Sequence, residues 1–83
     1  MDATVIAVNH ALGAIAVELE NKTCVVLETS SQFFLDIGDT VTADWQSEDT
    51  ILVKNVNKDS EFDAHVQKTT ETRGDAISSI SII

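Results

Sequence analysis

Between Ala3 and Thr69 the chain is a succession of short apolar segments, most with a period of two, set apart by polar turns, and that rhythm decides its fold class. "ATVIAVN" (3–9) is apolar on both faces, as the central strand of a tightly curled sheet would be. "AIAVEL" (14–19) puts Ile15, Val17 and Leu19 on one side and Ala14, Ala16 and Glu18 on the other, and alternation assigns the second set to solvent. The two segments form a hairpin around Gly13. "TCVVLET" (23–29) follows the turn "ENK", where Asn21 is expected to take the left-handed conformation of a tight hairpin.

Three more strands come after a break. "TVTADW" (40–45) directs Val41, Ala43 and Trp45 inward; "SED" turns into "TILVKNV" (50–56). "EFDAHVQKT" (61–69) points Phe62, Ala64 and Val66 in and Glu61, Asp63, His65 and Gln67 out. The intervening "SSQFFLDIGD" (30–39) is too irregular for a strand and reads as a loop with one helical turn at most, capped by Ser31. So small a sheet avoids exposed edges by closing, which predicts an all-β fold: a small OB-like or SH3-like barrel of five to six antiparallel strands. The barrel domain occupies residues 1–69. Residues 70–83 are a flexible segment and an apolar C-terminal tail, "AISSISII" (76–83), expected to fold back over one end of the barrel or to add a strand or apolar patch to a second copy or a partner.

Composition narrows the function classes. A chain of 83 residues builds one modest core. Proline is absent, glycine occurs three times and the net charge is −9, which fits a folded acidic strand protein. One cysteine and two histidines give neither an internal disulfide nor a Cys/His zinc site, and no cofactor is expected. The N-terminus "MDATVIAVNH" carries no basic signal region, and no apolar run approaches the roughly 20 residues of a membrane span, so the reading is a cytoplasmic bacterial protein with no membrane contact. His10 in a turn and His65 on an outer face read as solvated, Cys24 has only Lys22 as a basic neighbour, and Glu48 and Asp49 are turn residues. No nucleophile and base pair up, which argues against an enzyme. The sequon at Asn21 reads as a turn, and "RGD" at 73–75 as a chance tripeptide.

"VIAVNHALGAIAV" (5–17) resembles the first hairpin of the cold-shock type of OB barrel, whose strand ends in Asn, turns through a basic residue and Gly, and continues with alternating aromatics. "LDIGDTV" (35–41) is similar to the segment that opens the fourth strand of these barrels and of S1-type domains. The resemblance spans roughly residues 4–56, and the hairpin from "ILVKN" through "DAHVQ" (51–67) also resembles small bacterial barrel proteins, which lend no function. It implies a nucleic-acid-binding face, but the family's stacking aromatics fall near Ala7, Ala14 and Ala16, its basic turn residue near Leu12, and its third-strand aromatic and His near Cys24 and Val26. Stacking is worth about 1–3 kcal/mol per base, and alanine supplies none of it. Five cations against fourteen carboxylates also repel phosphate.

The sequence therefore points to a noncatalytic protein-interaction module with a protein partner, a basic one by charge complementarity. The candidate contacts are Phe33 and Phe34, adjacent aromatics that cannot both face one core, and Ile80, Ile82 and Ile83 of the tail, through which a homodimer is also conceivable. Trp45 belongs to the core. The alternative reading is a weak nucleic-acid-binding OB-type domain that uses an unorthodox face.

Overall fold

Six of the apolar segments are strands in the computed structural model, which describes residues 2–30, 33–46 and 50–80. They are β1 (Asp2–Asn9), β2 (Ala14–Leu19), β3 (Cys24–Glu28), β4 (Thr40–Thr42), β5 (Thr50–Asn55) and β6 (Ser60–Thr70), followed by one helix, α1 (Arg73–Ile80). The expected capping by Ser31, the "SED" turn at 47–49 with Glu48 and Asp49, and the tail residues Ile82 and Ile83 lie outside the described residues.

The strands close into a barrel in the order β1-β2-β3-β6-β5-β4, with every pairing antiparallel. Two meanders, β1 to β3 and β4 to β6, are joined by the loop that carries the chain from β3 back beside β1, a Greek-key return. Because β1, β3 and β5 run the same way, the β1–β2 turn, the β3–β4 loop and the β5–β6 turn gather at one end of the barrel. Alternation fills the interior with Val5, Ile15, Val17, Val25, Leu27, Val41 and Val53, all buried. At about 1.5–3 kcal/mol for each such side chain, this layer is the main stabilising term of the fold.

Strand β1 is apolar on both faces for a reason the register shows. Val5 pairs with Val17 and Ala7 with Ala16, so the ladder slips by one residue at Ile6. A bulge of this kind bends a strand and reverses the alternation beyond it. Val5 and, past the bulge, Val8 pack on the interior, while Ile6 and Ala7 pack on the outside.

What waits outside is α1. Its Ala76 and Ile80, one helical turn apart, pack with Ala14, Ala16, Cys24 and Val26 into a second buried cluster on the outer wall of β1, β2 and β3. This corrects the alternation reading, in which Ala14 and Ala16 faced solvent: Ala16 is completely buried and Ala14 nearly so. Alternation tells one face of a strand from the other but does not tell what covers each. The described part of the tail, Ala76 to Ile80, accordingly lies along the side of the barrel rather than over its end, and the residues just before it are not a linker. Thr70 is the last residue of β6, and Arg73 to Asp75 form the first turn of α1. Thr72 caps that turn, its Oγ1 accepting from the backbone N–H of Asp75 at 3.2 Å.

A further correction concerns the second hairpin. The left-handed residue is Lys22, with φ of 74°, and Asn21 instead accepts from the N–H of Thr23 through its side chain at 3.0 Å. That bond closes an Asx turn across Lys22. At the first hairpin Gly13 has φ of +66°, and a Cβ there would run into the carbonyl oxygen of Thr29. Only glycine fits.

Candidate functional site

The two adjacent phenylalanines divide as their geometry demands. Phe33 is 7% exposed and turns into the barrel end, its ring 5.7 Å from that of Phe62; Phe34 is 64% exposed. Leu35 follows Phe33 into the core, so the loop is anchored on both sides of Phe34. His10 is exposed but not simply solvated, since its ring stacks on Phe33 at 4.9 Å with an interplanar angle of 12°. Leu12, 51% exposed in the β1–β2 turn, lines one groove with Phe34, Phe33 and His10. Two large apolar side chains on the rim of a single groove form a contact surface that water does not favour.

Phe34 is held there by a polar network. Asn55, completely buried at the end of β5, donates from Nδ2 to the carbonyl oxygen of Phe34 at 3.2 Å and to Oδ2 of Asp39 at 3.0 Å. Its Oδ1 accepts from the backbone N–H groups of Asn57 and Lys58 at 2.9 and 3.2 Å. The side chain thus uses both its donors and its acceptor, which is what burial of an amide requires. Lys58 completes the network, its Nζ 2.6 Å from Oδ2 of Asp36 and 2.9 Å from Oδ2 of Asp39. Asp39, receiving bonds from Lys58, the N–H of Asp36 and Asn55, has its carboxyl drawn down to about 2. The same carboxylates hold the Lys58 ammonium above its ordinary value. The "LDIGD" stretch is therefore a clasp between the β3–β4 loop and the β5–β6 turn.

The remaining sequence candidates lie elsewhere. Ile80, the last residue of α1, is buried against the barrel wall and its carbonyl accepts from Asn9, so it sits in the chain's own second core. Arg73 grips Glu18 with two charge-assisted bonds, Nε to Oε2 at 2.7 Å and Nη2 to Oε1 at 2.6 Å, and draws the Glu18 carboxyl below its usual range. The "RGD" arginine is a latch for the helix. Cys24 lies beneath that helix, and burial pushes its thiol up. Among the described residues no cluster of three His, Cys, Asp or Glu side chains is placed to hold a metal ion.

Sequence reasoning did not find Leu12 or His10 as members of the groove. Leu12 was legible only as the position where a basic residue is missing, and nothing in the one-dimensional pattern sets it beside Phe34. No helix among the described residues is long and apolar enough to cross a membrane. No family model matches the chain, and neither a curated protein nor a solved structure matches it at a significant level.

Proposed function

We propose that this protein is a noncatalytic interaction module that binds another protein through the groove between Leu12 and Phe34. The observation that carries the reading is that Phe34 is exposed while its backbone is fixed by a completely buried Asn55. An apolar ring held out to solvent by a specific clasp loses little conformational freedom on binding, which favours association.

The outer wall of β1, β2 and β3 supports the same reading from the other side. If the barrel is of the cold-shock and S1-type OB kind that its first hairpin resembles, this is the wall on which bases would stack. Here it is roofed by α1, and its alanines are the residues small enough to let a helix lie close. The free buried thiol of Cys24 accords with a reducing, cytoplasmic setting.

Tagged full-length protein and its Phe34→Ser variant, passed over lysate of the source cell, test the reading. One protein should be enriched reproducibly by the first and lost by the second. Salt-sensitive, micromolar binding of labelled single-stranded RNA or DNA, unchanged by Phe34→Ser, would overturn it in favour of a nucleic-acid-binding domain.

A further inference from the structure

The groove at Phe34 does not stand alone. A second one shares Leu12, Thr29 and Ser30 with it and runs on past Glu28 and Asp63 to His65. No lysine or arginine lines either groove among the described residues. Glu28 and Asp63 are both exposed on its walls, and neither is in the ion pairs of the described residues, which join Lys58 to Asp36 and Asp39, and Arg73 to Glu18. An apolar seat thus leads into a channel whose fixed charges are all negative, on a chain of net charge −9.

Charge decides which occupant fits. A phosphate backbone would bring its charges against Glu28 and Asp63, and a second copy of this chain would bring the same net charge of −9. A cationic segment is instead attracted at long range and finds carboxylates at contact. Resting on the interaction-module reading above, we infer that the joined groove binds an extended cationic peptide segment of a partner protein: one large apolar side chain seats between Leu12 and Phe34, and flanking lysine or arginine side chains meet Glu28 and Asp63.

The probe is a short fluorescein-labelled peptide with a central tryptophan and lysines on both sides, titrated with the full-length protein and followed by anisotropy. Two companion peptides carry alanine in place of the tryptophan or glutamates in place of the lysines. The tryptophan–lysine peptide should bind, and each companion should bind about tenfold more weakly or worse, as loss of an interface anchor or of its charge complement requires. Phe34→Ser and Leu12→Ser should each weaken it by about tenfold with unchanged Tm, since both side chains are exposed. Glu28→Gln with Asp63→Asn should weaken it about threefold at low salt and not at high salt.

Equal binding of the alanine peptide would show nonspecific charge attraction and overturn the inference, as would equal binding of the glutamate peptide or indifference to Phe34→Ser. No binding of any peptide also overturns it. If Phe34-dependent capture of a protein from lysate persists in that case, the module reading stands and only the assignment of a cationic partner falls.

Discussion

Asn9 donates from its Nδ2 to the carbonyl oxygen of Ile80 at 2.7 Å, joining the end of β1 to the last described residue of α1, 71 positions later. The last carbonyls of a helix have no intrahelical partner, so the bond satisfies one that would otherwise need water or another cap. The Oδ1 of the same side chain accepts from the N–H of Leu12 at 3.2 Å. One asparagine therefore fixes both the roof over the β1 to β3 wall and the turn that presents Leu12 to the groove.

Asn9→Ala removes both bonds at once. Each is worth about 0.5–1.5 kcal/mol, so the variant should melt roughly 4–24 °C lower than the wild type by calorimetry. Asn9→Asp keeps the acceptor for Leu12 but turns a carboxylate oxygen toward the Ile80 carbonyl at the negative end of α1, so it should gain nothing over Asn9→Ala. An unchanged Tm for Asn9→Ala would show that water replaces the side chain at no cost.

The alanines beneath the helix carry a sharper expectation. Ala16 is fully buried against α1, and phenylalanine at this position has no space unless the helix moves. Ala16→Phe should either cost about 1–3 kcal/mol through overpacking or displace α1 from the wall. Trypsin separates the outcomes: cleavage after Arg73, now held by Glu18, should become fast only where the helix has left. A variant with wild-type Tm and wild-type cleavage would mean that the wall accommodates an aromatic.

Most of the barrel was legible because its strands obey a period that side-chain burial enforces. The segments read as 14–19 and 50–56 correspond to β2 (Ala14–Leu19) and β5 (Thr50–Asn55), with boundaries that differ little. What alternation could not see was the second layer. Ala14 and Ala16 look like a polar-side face with its polar groups missing, and only a partner helix explains why small apolar residues occupy it. That helix was hard to recognise because its eight residues bury just Ala76 and Ile80 and leave Ile77 exposed, too little for an amphipathic signal. The "FF" pair was readable as a divided pair; which phenylalanine turned out followed from Asn55, twenty-one residues away, holding the carbonyl of Phe34.

Cys24 reports on the roof. Its thiol is buried under α1 and pushed up by burial, so a disulfide reagent should react with it slowly in the native protein. Ile80→Ala removes the larger of the two helix side chains in that cluster, at about 2–5 kcal/mol for a core isoleucine. Where that cost falls on helix docking, the thiol reaction should quicken by about tenfold for every 1.4 kcal/mol or so lost. Leu52→Ala, at an exposed position of β5, should leave the rate alone. Equal rates in all three proteins would show that the thiol is reached without moving the helix.

The clasp at Asp39 makes acid stability a readout of the loop that presents Phe34. Its folded pKa of about 2 lies below the ordinary 3.8, because Lys58, the N–H of Asp36 and Asn55 all bond the charged form. Between those values the unfolded chain binds more protons than the folded one, so stability falls as pH drops through the window and the contribution is fully present above it. Asp39→Asn abolishes the titration. The variant should melt below the wild type near neutral pH, and the two curves of Tm against pH should converge as pH falls from 3.8 towards about 2. Lys58→Met, which removes the first of the bonds to Asp39, should raise the Asp39 pKa and shift the acid loss of stability to higher pH. Parallel curves for wild type and Asp39→Asn across the acid range would show that other carboxylates control acid unfolding and that the clasp adds nothing to it.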